Sequence, residues 1–310
     1  MSHRTRDFML VISTAVVVAI LALAVTPTRG QAPAEYRAPR MAGGHPNLNG
    51  IWQAVNTANW DIQSHGVRPA LAVRPGRVAG TMVPAAPVIA FGAVGAVPAG
   101  FGIVEGDEIP YQPWAAAKKK ENADNWLTRD PEIKCFMPGV PRATYMPFPF
   151  QIVQGTDKIT MVYAFAGATR TLEVGGKDEA PTDSWMGWSN ARWDGETLVV
   201  DVTGLNDQSW FDRAGNFHSD ALHVVERYTA TSPYHVRYEA TIEDPKVFTR
   251  PWKISMPLYR RTEPNAEILE FKCVEFVEEL MFGKLRKEPL PMVDDFRRWY
   301  DEFRAFPGLR

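Results

Sequence analysis

Cysteine is scarce in this chain: Cys135 and Cys273 are the two among 310 residues. Neither has a His or a second Cys at ligand spacing, which argues against a thiolate metal site. The absence of C-x-x-C-H excludes covalent haem attachment. There is no G-x-S-x-G elbow, phosphate-binding P-loop, dinucleotide fingerprint or H-E-x-x-H pair, so the commonest hydrolase, nucleotide and zinc-protease readings fall away. Charge of one sign is missing too. The net charge is −2 and no Lys/Arg block occurs, so nothing favours a nucleic-acid partner. What remains is ordinary for a folded protein: 45% hydrophobic and 23% charged residues, in a length that suits one large or two modest domains.

The N-terminus points to export. Arg4 and Arg6 precede an uncharged apolar run over 8–25, and Pro27, Arg29 and Gly30 then break it. That is the layout of a secretory signal over 1–32, with cleavage after Ala24 or Ala32. An uncleaved anchor is the alternative, because the run approaches bilayer-spanning length. Either way the remainder is expected in the periplasm or secreted, touching a membrane only through that segment if it stays. Both cysteines lie in the exported part, so a Cys135–Cys273 disulfide is expected. Closing so long a loop is worth about 4–5 kcal/mol in the entropic model.

Residues 33–150 read as an extended, Pro/Gly-rich segment wrapping a core, with a first strand near 50–55 opened by Gly50-Ile51-Trp52. Within it, 66–104 is an apolar stretch where Pro84, Pro87 and Pro98 forbid regular structure. It reads as a lid or as loose chain. Good helix formers predict a short helix around 114–125. From 151 to 280 the pattern changes to short strands: 151–154, 159–165, 169–174, 188–193, 197–203, 222–229, 234–242, 252–259 and 268–276. Gly155, Gly167, Gly175-Gly176 and Asp194-Gly195 punctuate them, the last being the strongest hairpin signal. With no interleaved helices, this spacing implies a mainly β fold, an antiparallel barrel or sandwich. Apolar residues three and four apart over 292–306 predict an amphipathic helix within 281–310.

The richest concentration of chemistry is the loop 206–220, held between two strands. His218 can act as a base near neutral pH, with Asp220 or Asp207 as its carboxylate. Asn206, Asp212 and Trp210 stand beside it, although Asx residues also cap turns for purely structural reasons. His218, Asp220 and His223 form H-x-D-x-x-H, but His223 lies an odd number of residues from Asp220 on a strand and faces the other way, so no metal is expected. Alternation over 222–228 puts one charge on whichever face is buried: Arg227, with Glu239 or Asp201 as partner, or Glu226, with Arg237 or Arg170. Such a pair is either a barrel-interior ion pair or a ligand clamp. Trp185, Trp188, Trp210 and Tyr163, among 10 Trp, 9 Tyr and 16 Phe, could line a cavity for a flat or apolar ligand or could simply fill a core.

The stretches WMGWSNARWDGETLVVDVTGLNDQSWFDRAGNFHSDALHVVERY, TIEDPKVFTRPWKISMPL and LEFKCVEF, with CFMPGVPR and PFQIVQ before them, resemble a large family of exported bacterial proteins whose activity is uncharacterised. The likeness covers most of the chain from about Gly50 onward and implies export but no reaction. Gly50-Ile51-Trp52 also resembles the opening of lipocalin-like barrels. The expectation is therefore a lipocalin-like barrel, without cofactor, that binds a small apolar or aromatic molecule. Trp185, Trp188, Trp210, Asn206, Asp212, Arg227, Arg170 and Tyr163 would be the contacts. The alternatives are a cofactor-independent isomerase, lyase or hydrolase working through His218 with Asp220 or Asp207, and an envelope protein-interaction module.

Overall fold

The computed structural model describes residues 36–69, 73–75, 82–84 and 96–275. The expected signal segment, the helix over 292–306 and most of the apolar stretch 66–104 lie outside these residues.

Nine strands close into a barrel. They are β1 Gly50–Ala54, β2 Phe150–Gln154, β3 Lys158–Tyr163, β4 Thr169–Val174, β5 Trp188–Asp194, β6 Thr197–Thr203, β7 His223–Ser232, β8 His235–Glu243 and β9 Trp252–Arg260. Each follows its neighbour in sequence around the wall, and β1 closes the circle by pairing with both β2 and β9. Period-two alternation does the sorting. On β9, Trp252, Ile254, Met256 and Leu258 are buried, while Lys253, Pro257 and Tyr259 face water. At the β5–β6 hairpin Asp194 already pairs with Thr197, so Gly195 and Glu196 form the two-residue loop. Gly195, at φ 59°, supplies the left-handed conformation that such a loop needs.

Three expectations are corrected. First, the barrel is not wholly antiparallel. Leu172–Val174 of β4 runs parallel to Ser189–Ala191 of β5, because 175–187 make a crossover rather than a hairpin. Second, the stretch 268–275 is not a strand. The edge of β9 is already occupied. Trp52, Gln53 and Ala54 pair with Arg260, Tyr259 and Leu258, and farther along Ser255 donates to the carbonyl of Ile103 at 2.8 Å. Third, the barrel is not confined to 151–280: the expected first strand near 50–55 is present and is itself a stave of the barrel. Its glycine is required. Gly50 has φ 148°, and a β-carbon there would sit 2.1 Å from Arg260 Nη1. Arg260 lies over the Trp52 ring, 4.3 Å from its centroid.

Outside the wall, the helix α1 Pro113–Asp124 takes a proline in its first turn, where the missing N–H costs nothing. The helical turn Arg142–Tyr145 is buried at all four positions and belongs to the same core as the barrel side chains. Cys135 and Cys273 form the expected disulfide, 138 residues apart in sequence. It ties the segment leading into that turn to the chain that returns after β9. Among the described residues no helix is long and apolar enough to cross a membrane.

Candidate functional site

Inward positions on β3, β4, β5, β7 and β8 place a polar cluster inside the barrel. Arg170 Nη2 donates to Glu226 Oε2 at 2.7 Å and to Ser189 Oγ at 2.9 Å, and Nη1 reaches the Tyr163 hydroxyl at 3.4 Å. The hydroxyls of Tyr228 and Tyr238 both donate to Glu226 Oε1, at 2.9 and 2.8 Å. The Arg170 and Glu226 side chains are 1% and 0% exposed. Burial opposes the guanidinium charge, but the Glu226 carboxylate beside it outweighs burial and raises the Arg170 pKa well above its ordinary value. Burial also pushes the Tyr163, Tyr228 and Tyr238 phenols up, so they stay protonated. Thr144, from the buried helical turn, stands beside Tyr163 and Tyr228 without a hydrogen bond of full geometry.

Hydrogen-bond capacity in this cluster is uneven. Glu226 accepts on both oxygens. Arg170 Nε is buried with no partner. An arginine carries five N–H donors in a fixed fork, and the Nε–H of this one is unused. The wall pairing is also short here. Pairing between β4 and β5 covers Leu172–Val174 and Ser189–Ala191, and Arg170 lies just outside that register. The Arg170–Ser189 side-chain bond spans the two strands at that level.

The loop 206–220 folds back on itself through a bridge between Trp210 and Phe217. His218 is 3% exposed. Its Nδ1 lies 2.8 Å from the Ser219 carbonyl and its Nε2 lies 2.8 Å from Ser209 Oγ. A carbonyl only accepts, so the proton sits on Nδ1, and Nε2 accepts from the serine hydroxyl. Burial lowers the His218 pKa against the pull of the Ser219 carbonyl, Asp244 and Asp207. Asp244 receives the Ser219 N–H at 2.6 Å and its hydroxyl at 2.9 Å. Asp212, fully buried, accepts from the Ile62 N–H at 2.9 Å and from Asn216 Nδ2 at 2.6 Å. Burial, then the nearby Asp61 charge, raises its pKa to about 7.

These positions do not make one site. Asp220, expected as the partner of His218, is exposed and bound to Lys246 at 2.6 Å. Two residues beyond His218 the chain has already turned outward. Asp207 is exposed, and Asn206 uses its side chain to accept from the Gln208 N–H at 3.2 Å, an ordinary turn contact. Arg227 faces out and pairs with Asp194 at 3.0 Å, because Glu226 takes the inward register. His223 sits outside, between Asp201 and Glu243 at 3.1 and 3.3 Å. Trp185 stacks on Phe136 at 5.0 Å. Trp188 is half-buried, its indole N–H without a partner. Trp210 packs into the loop and the core. Of the expected ligand contacts, Arg170 and Tyr163 are the two brought together inside the barrel. Ser209, Ser189, Tyr228, Tyr238 and Asp244 were not foreseen. Inward alternation could have flagged the two tyrosines, whereas nothing local marks Ser209 or Asp244.

Clefts among the described residues include two of moderate size. One, of about 380 Å³, lies between 55–58, 99–103 and 255–257; the other, of about 270 Å³, lies along 243–251. Among the described residues no group of three or more His, Cys, Asp or Glu is placed to hold a metal ion.

No protein-family model matches the chain, and no curated protein does. A crystal structure of a mutant of the fluorescent protein UnaG is similar with a TM-score of 0.25 and 15% identity, over 43% of this chain and 87% of that one.

Proposed function

We propose that this protein binds a small, largely apolar or aromatic molecule inside its barrel, held through an acceptor group on the free Nε–H of Arg170. The observation that carries this reading is the buried, unpartnered Arg170 Nε. Leaving a donor of a charged group buried and unsatisfied costs about 1–3 kcal/mol or more, and such gaps are rare in folded proteins. A carboxylate or carbonyl oxygen on a ligand would fill it through one charge-assisted hydrogen bond. The surroundings favour the rest of such a molecule. Phe150, Tyr163, Tyr228 and Tyr238 offer ring faces and edges around the charge. Closed barrels of about eight strands are wide enough to be filled by side chains or to hold one small ligand, and this one has nine strands.

The protein is read as an exported binder, in keeping with the apolar N-terminal run and the family of exported bacterial proteins it resembles. The disulfide supports an oxidising compartment. Native mass spectrometry of protein purified from the periplasm tests the proposal, together with uptake of a dansyl-labelled fatty acid as an apolar carboxylate probe. A co-purifying molecule or bound probe that is lost in Arg170→Met is the expected result. Bare wild-type protein that takes up no probe overturns it.

A further inference from the structure

We infer that Ser209 and His218 are a second, chemically active site: a serine–histidine dyad competent for acyl transfer from esters of apolar acyl groups. The inference stands apart from the barrel interior and uses none of its residues.

Geometry comes first. Ser209 Oγ donates to His218 Nε2 at 2.8 Å. His218 Nδ1 donates to the Ser219 carbonyl at 2.8 Å, which fixes the tautomer that leaves Nε2 free to take a proton. Ser219 is itself held at its N–H and its hydroxyl by the Asp244 carboxylate. The order is therefore nucleophile, base and an orienting backbone carbonyl, with Asp244 holding the residue that bears that carbonyl; a base oriented by a third group is how a serine is activated. The ring of His218 rests 5.3 Å from Phe211, which fixes its plane. The groups facing His218 are thus Ser209, the Ser219 carbonyl and Phe211, with the Asp244 and Asp207 charges nearby. Burial keeps the imidazole neutral, and those two carboxylates favour the imidazolium that forms once it takes the serine proton.

The roof over Ser209 has its own character. Gly139, at φ 72°, lies so close that a β-carbon there would be 2.2 Å from Ser209 Oγ. The residues leading to it, Phe136 and Met137, are 47% and 39% exposed, although both are large and apolar. Phe136 stacks on Trp185, whose carbonyl also lies beside Gly139. The roof begins at Cys135, which also has a left-handed φ of 62° and carries the disulfide to Cys273. Ser209 itself is 2% exposed. An acyl donor reaches it when Phe136–Gly139 lifts, and the apolar side chains of that roof and Trp185 are what the acyl chain then meets.

In the reaction, Ser209 Oγ forms a bond to the ester carbonyl carbon while its proton passes to His218 Nε2. The tetrahedral oxyanion collapses, the bond to the alcohol oxygen breaks, and the leaving alkoxide takes the proton from Nε2. Water then repeats the sequence on acyl-Ser209, releasing the acid and restoring the serine. The sum is ester plus water giving acid plus alcohol.

The test is labelling of the full-length protein with a fluorophosphonate–biotin probe, followed by peptide mapping and by hydrolysis of p-nitrophenyl butyrate. Labelling at Ser209, lost in Ser209→Ala and slowed about 100-fold in His218→Gln, is expected. Asp220→Asn should label as wild type does. Ser209→Ala removes one oxygen from a small side chain, so its circular dichroism and melting separate loss of chemistry from loss of fold. Wild-type protein that carries no Ser209 adduct, with the disulfide intact or reduced, overturns the inference. So does an adduct whose rate ignores His218→Gln in a folded variant.

Discussion

Arg142 and Arg170 are buried alike, each with a side chain 1% exposed, yet they are used differently. Arg142, on the helical turn, spends every nitrogen. Nη1 and Nη2 each reach an Asp130 oxygen at 2.8 Å, and Nε donates to Asn59 at 2.9 Å. Glu132 stands 3.6 Å away and holds Arg213 in turn, at 2.7 and 3.0 Å, while Arg213 lies over Trp60 and Trp126. Burial opposes the Glu132 charge, but the two arginines outweigh it and depress its pKa. Arg170 makes its two good contacts through one nitrogen and leaves Nε without any. Two residues along the turn from Arg142, Thr144 faces the Arg170 cluster. One turn thus separates an arginine whose three nitrogens are all hydrogen-bonded from one whose Nε is not. Burial does not distinguish these two arginines; the use of Nε does.

If that contrast holds, Arg142→Met should be the most damaging change. It strands Asp130, which is fully buried, and breaking a buried pair in this way costs about 3–5 kcal/mol. Urea denaturation measures it, and a loss below about 1 kcal/mol would erase the distinction. Next comes pH. Asp212 has a folded pKa of about 7 against an ordinary value of 3.8, so between those values the folded state holds a proton that the unfolded state has lost. Stability is therefore fullest below pH 4 and falls as pH rises towards 7. The change is on the order of 4 kcal/mol at 1.36 kcal/mol per unit. In Asp212→Asn the slope of urea stability against pH should flatten over that window. Equal slopes in variant and wild type would show that the site ionises freely.

Much of the barrel was legible because alternation acts locally. Trp252, Ile254, Met256 and Leu258 announce an inward face, and Asp194-Gly195 announces a hairpin. The stretch 268–275 alternates just as well and is not a strand, since pairing depends on a vacant edge and β1 with Ile103 had taken it. The parallel β4–β5 step was hidden for the same reason: Gly175-Gly176 marks a bend, not the direction of return. The interior ion pair was half visible, because an inward Glu226 demands a partner and Arg170 was among those named. Ser209 stayed hidden. Sequence proximity favoured Asp220 for His218, whereas the Trp210–Phe217 bridge brings Ser209, nine residues back, against the ring.

The smaller effects sharpen the contrast from the other side. Arg170→Met should cost less than Arg142→Met, about 1–3 kcal/mol. Glu226 keeps the Tyr228 and Tyr238 hydroxyl donors on Oε1, whereas Asp130 loses a donor on each oxygen. The variant should remain folded yet lose the dansyl-labelled fatty acid, so stability and binding part company at Arg170 and not at Arg142. Should both substitutions cost the same and neither affect uptake, the two arginines are equivalent scaffold. Smallest of all is Asp220→Asn. Its ion pair with Lys246 is at the surface, more than half exposed on both sides, where salt screens the attraction and side-chain entropy offsets it. No resolvable shift in the urea midpoint is expected, and none in Ser209 labelling. A clear fall in either would mean that Asp220 reaches His218 in solution through a loop arrangement different from the one seen.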